Sequence, residues 1–157
     1  MELEPDTIGT FVGLAFSQML DVAERLGDDR VDLRPHGPAT NSVAALVLHC
    51  CGVAEFWLGH VGLGRASNRV REEEFAQTAT VAELHGAVDR SKAQIESDVV
   101  ELAAAPVSPY VEGRQFLPGG DRSDASLVLH LIEELFQHLG HIDLTADALT
   151  AADRDGD

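Results

Sequence analysis

A chain of 157 residues, 45% hydrophobic and 24% charged, can bury one core and is too apolar to be disordered. Its 27 acidic against 11 basic residues give a formal net charge of −16. That excludes a basic stripe for nucleic-acid phosphates, opposes contact with anionic membranes, and favours a metal or small-molecule role.

Residues 1–6 are acidic and lack the basic-then-apolar order of a signal peptide, so no targeting segment is expected. The first helix is expected over 6–26. Ile8, Phe11, Val12, Ala15, Met19, Val22, Ala23 and Leu26 recur at helical spacing, and Gly27 ends the run. Residues 28–40 hold Pro35, Gly37 and Pro38 and read as a loop. A second helix starts with Thr40 or Asn41 as cap and ends near Gly59, Gly62 and Gly64. It carries the longest apolar stretch, 43–63, which is interrupted by His49, Glu55 and His60 and so reads as a core helix and not a membrane span. Cys50 and Cys51 are neighbours pointing about 100° apart, poorly placed to pair. Both read as small buried hydrophobes in a reducing cytoplasm, with a catalytic or metal-binding role for one of them as the alternative.

Residues 65–78 are charged and expected to be exposed, with a short turn around 72–75. Arg65, Arg69 and Arg71 there can hold an anionic part of a ligand, or form a solvated face paired with Glu72–Glu74. Thr80 and Glu83 make a capping box for a third helix that runs to about Ala105, before Pro106. Residues 106–122 hold three prolines and three glycines and read as a long loop. The fourth helix starts at Ser123 or Asp124 and runs to about Leu149, with a polar, frayed tail from about 150. Four long helices without a strand candidate predict one all-α domain over 1–157, a four-helix bundle.

Histidine placement carries the chemistry. His130, Glu134, His138 and His141 fall within about 80° of one another on the fourth helix, on the side of Leu127 and Leu131. On the second helix, His49 and His60 share a face with Val53 and Phe56. Polar groups in an apolar face must be paired or must bind something. Glu134 and His138, four residues apart, can reach one ion, and a histidine from the facing helix makes three ligands. The alternative is a hydrogen-bonded pair. Three protein ligands with an open position describe a catalytic site. Imidazole with carboxylate suits zinc, nickel or iron(II) without choosing among them.

TNSVAALVLH, ending at His49, and AEFWL at 54–58 resemble the second helix of the DinB-like superfamily. Gly64-Arg65, Asn68-Arg69 and Glu74-Phe75 resemble the inter-helix segment of the mycothiol S-transferase branch. LHLIEE at 129–134 and HLGHID at 138–143 resemble its last helix. The resemblance implies an up-down-down-up four-helix bundle, often a homodimer, with a metal held by His49, Glu134 and His138. Many DinB-like members have histidine where this chain has Glu134. The glutamate form resembles the N-terminal domain of mycothiol-dependent maleylpyruvate isomerase, an enzyme with a further C-terminal domain.

The implied activity is that of a metal-dependent S-transferase, with zinc first among metals and nickel or iron next. It would activate mycothiol for attack on an electrophilic small molecule, as in detoxification. His141 and His130 are the candidates for an orienting or proton-relay role, against a reading as satisfied core histidines. Arg65 and Arg69 are the candidates for holding the thiol co-substrate. Trp57 is expected in the bundle core or a dimer contact, with a stacking role in the pocket as the alternative. Competing readings are a metal-dependent hydrolase, a stress-related binding module, or a structural dimer whose polar stripe only forms hydrogen bonds.

Overall fold

The computed structural model describes residues 4–104, residue 117 and residues 123–154. Among these, every regular element is helical. Helix α1 (Pro5–Leu26) buries Ile8, Val12, Ala15, Phe16, Met19, Val22, Ala23 and Leu26, close to the expected stripe. Phe11 departs from it, standing 47% exposed. Pro5 suits the first turn, where its missing N–H has no helical partner anyway. Gly27 closes the helix at φ 69°, a conformation that favours glycine, and its N–H donates to the Ala23 carbonyl.

Helix α2 (Val43–Ala54) is capped by Ser42, whose Oγ accepts from the Ala45 N–H at 3.2 Å. The expected caps, Thr40 and Asn41, come too early. Thr40 Oγ1 is spent on the preceding single turn, donating to the Gly37 carbonyl at 3.0 Å. Beyond Ala54 the same rod continues through Glu55–Gly62 as a π-helix, a wider winding that the apolar pattern does not distinguish from α. The stretch Gly37–Gly62, which contains this rod, is long and apolar enough to cross a membrane by length and composition, but 72% of its most apolar window is buried inside the bundle. It is a core helix.

Helix α3 (Arg71–Glu74) is the short turn expected there. Helix α4 (Val81–Ala104) opens on the expected capping box: Glu83 N–H donates to Thr80 Oγ1 at 3.2 Å, and Thr80 N–H to Glu83 Oε2 at 2.8 Å. Helix α5 (Asp124–Arg154) is longer than expected. Of the tail expected to fray from about 150, the described residues up to Arg154 continue the helix, with Thr150 Oγ1 donating to the Ala146 carbonyl at 3.1 Å. The expected loop over 106–122 lies, except for buried Leu117, outside the described residues.

Helices α1 and α2 each pack on both α4 and α5, so the four long helices enclose one core. The chain is an all-α bundle, as expected. Leu46 and Leu58, on α2 and its π-helical extension, and Leu127, Leu131 and Leu135, on α5, are fully buried. Burying each such side chain contributes about 1.5–3 kcal/mol, which fixes the two helices that carry the histidines.

Candidate functional site

His49 leaves α2 into the core and is 2% exposed. Its Nε2 meets His138 Nε2, from α5, at 3.2 Å. His138 Nε2 in turn lies 3.6 Å from Glu134 Oε2, one turn back on the same helix. The three residues implied by the resemblance are therefore neighbours. Among the described residues, however, no three histidine, cysteine, aspartate or glutamate side chains stand as a ready-made ligand cluster.

The donor set still fits a divalent cation. Two nitrogen ligands with bonds of about 2.05 Å at a tetrahedral zinc stand about 3.3 Å apart, close to the spacing of the two Nε2 atoms. His49 Nδ1 is taken by Glu74 Oε2 at 2.7 Å, so it carries the proton in a neutral ring and leaves a lone pair on Nε2.

Glu74 is the site residue missed in the sequence. It sits at the end of α3 in the segment expected to be exposed, yet it is 7% exposed. Arg69 Nε–H donates to its Oε1 at 2.5 Å and Arg69 Nη2–H to its Oε2 at 2.8 Å, a forked pair. The pairing of these arginines with Glu72–Glu74 was expected, but on a solvated face. Here Arg69 is 12% exposed at its side chain and lies over the Phe56 ring. Gly52, one turn after His49, provides the space: a Cβ there would stand 2.2 Å from Glu74 Oε1. Phe75 walls His49 with ring centroids 4.5 Å apart, and its carbonyl accepts from Arg34 in the loop after α1.

Charge balance follows burial. Desolvation lowers the His49 pKa, with His138 and Arg69 pushing the same way against the Glu74 hydrogen bond. Burial raises the Glu74 carboxyl, but the hydrogen bonds from Arg69 and His49 outweigh it and hold the group below the usual glutamate range. Glu134 is also lowered, first by its hydrogen bond with His138 and then by the nearby histidine charges, against burial.

The remaining expected residues are placed unequally. His130 Nδ1–H donates to Glu133 Oε2 at 3.0 Å, its Nε2 lies 3.7 Å from Glu134 Oε1, and its ring meets buried Trp57 edge-on at 4.5 Å. His141 is exposed and stacks beside His138 with centroids 6.4 Å apart. Partial desolvation of its ring and the neighbouring His138 lower its pKa. Arg65 is turned away to the buried Asp98 of α4, which also accepts from Gln94 at 2.7 Å. His60 Nδ1–H donates to the Arg65 carbonyl at 2.6 Å. Burial raises the Cys50 thiol well above its ordinary value and pushes Cys51 up to about 12, so neither is a thiolate at neutral pH.

A cavity of about 410 Å³ opens beside these groups. His49 and Glu134 reach it, Val53, Phe56 and Trp57 give it an apolar wall, and Arg69 and Arg71 give it a basic rim. The π-helical winding narrows the angle between consecutive residues, which lets the neighbours Phe56 and Trp57 both face the cavity.

A family model for mycothiol S-transferases matches residues 8–151. No curated protein and no solved structure matches the chain. The chain belongs to the mycothiol S-transferase family, within the DinB-like superfamily.

Proposed function

We propose that this family member is a metal-dependent S-transferase in which His49, Glu134 and His138 hold a divalent cation, zinc before nickel or iron, and mycothiol is the thiol that reacts. The observation that carries the reading is the meeting of His49 Nε2 and His138 Nε2 at 3.2 Å beside Glu134, at the edge of a cavity. A cation bound there supplies the positive charge that stabilises a thiolate at neutral pH.

The chain's own residues do the rest. Val53, Phe56 and Trp57 keep water from the cavity's apolar side and leave room for a small electrophile. His130 Nε2, 3.7 Å from Glu134 Oε1, is placed to steady that carboxylate or to hold a proton. His141, next to His138, is the outer candidate for the same duty. Arg71 faces the cavity and suits an anionic group on either reactant, whereas Arg69, on the same rim, is committed to Glu74. The raised pKa values of Cys50 and Cys51 agree with a reaction that brings its thiol from outside. The resemblance favours a homodimer, for which light scattering of the purified protein is the check, and the adjacent, poorly placed Cys50 and Cys51 favour a reducing cytoplasm.

The test is direct. Zinc-loaded protein is incubated with mycothiol and a reactive bimane, and thioether formation is followed by fluorescence. A rate no higher than that of the metal-free protein would refute the transferase. Elemental analysis of the wild type and of His49→Ala, Glu134→Ala and His138→Ala then examines the trio, which predicts metal loss in each variant.

A further inference from the structure

We propose that Glu74 is a positioning residue for His49, fixing its ring so that Nε2 presents a lone pair to the site, and that Arg69 and Gly52 hold Glu74 in place. The inference rests on the reading of His49, Glu134 and His138 as metal ligands.

Three observations carry it. The Glu74 carboxylate is 2.7 Å from His49 Nδ1, on the far side of the ring from His138. It is buried and receives both Arg69 donors, at 2.5 and 2.8 Å, so it is held as a carboxylate in one orientation. The helix bearing His49 has a glycine at the one point where a Cβ would strike that carboxylate, 2.2 Å from Oε1 and 3.0 Å from Cδ. A buried arginine–glutamate pair with no further duty needs no histidine contact. This pair sits where a carboxylate sets the tautomer of a ligating imidazole and raises its basicity.

Replacing Glu74 by glutamine keeps the shape but offers one acceptor oxygen where three N–H groups now converge. The cationic Arg69 claims that oxygen, and the amide NH2 is left facing His49 Nδ1. The ring should then move its proton to Nε2, the nitrogen that has to be free for a cation.

The test uses the full chain with 15N-labelled histidine. In metal-free protein at pH 8, long-range proton–nitrogen spectra should show His49 protonated at Nδ1 in the wild type and shifted toward Nε2 in Glu74→Gln. Zinc affinity, measured by competition with a chromophoric chelator, should fall about 10–100-fold. A fall below tenfold, or unchanged His49 ring signals, would overturn the proposal. If Glu74→Gln loses its helical circular dichroism, Gly52→Ala gives the same two readouts, since it displaces the carboxylate without removing it. Unchanged zinc affinity in Glu134→Ala and His138→Ala would instead remove the trio. The ring signals of metal-free protein would still decide whether Glu74 sets the His49 tautomer.

Discussion

Replacing Gly52 by alanine sets two effects of opposite sign against each other. Alanine is favoured over glycine inside a helix by about 1 kcal/mol, so on a free surface the change would stabilise. Here the new Cβ would lie 2.2 Å from Glu74 Oε1, and the carboxylate must retreat by about 1 Å to restore ordinary contact. Oε1 accepts from Arg69 Nε at 2.5 Å, while Oε2 accepts from Arg69 Nη2 at 2.8 Å and from His49 Nδ1 at 2.7 Å. Charge-assisted hydrogen bonds contribute about 1.5–3 kcal/mol each, and a carboxylate displaced by 1 Å keeps some of the three and weakens the rest. A loss of about 3 kcal/mol against the propensity gain leaves a net destabilisation of about 2 kcal/mol. For a chain of this size that lowers Tm by about 4–8 °C. Thermal unfolding of metal-free wild type and variant, followed by circular dichroism at 222 nm, reads it. An unchanged or raised Tm would mean that the Glu74 network does not resist displacement, and the reasoning would fail.

Acid should weaken the metal-free protein below neutral pH. The folded His49 pKa lies under its unfolded value of about 6.5, so the unfolded chain binds the proton first and stability falls as pH drops through 6.5. A urea midpoint at pH 5.5 equal to or above that at pH 7.5 would contradict this. Arg65→Ala should leave the buried Asp98 carboxylate with its Gln94 contact and no cation. The expected cost is about 2 kcal/mol, less than for a fully buried pair because the Arg65 side chain is 42% exposed. A raised KM for the thiol with unchanged Tm would return Arg65 to a binding role. Leu131→Ala removes a fully buried side chain one turn before Leu135 and should cost about 3 kcal/mol in urea unfolding. A loss under 1 kcal/mol would show that the α5 core face is looser than its burial indicates.

What the sequence alone determined is local. The apolar period marked α1, the Thr80–Glu83 box marked the start of α4, and the four-residue step marked Glu134 and His138 as one face of α5. These signals lie within a turn or two of chain, where helical geometry is fixed by the backbone. The cap of α2 was misplaced because Thr40 is as good an acceptor as Ser42, and only its use by the preceding turn disqualifies it. The π-helical winding of Glu55–Gly62 leaves no mark in an apolar pattern that reads equally well as α.

The tertiary structure decided which charges are free and which are spent. Arg65 and Arg69 stand four residues apart and look alike in sequence. One is committed to Asp98 of α4, and the other forks onto Glu74 beneath His49. Glu74 looks like Glu72 and Glu73 until α3 folds against Gly52 and takes it out of water. Burial, not residue type, separates a solvating carboxylate from one that orients a histidine. Burial is set by helices that meet 25 residues apart for Glu74 and His49, and 89 residues apart for His49 and His138. Desolvation and long-range contact are properties of the packed bundle, and no local pattern encodes them.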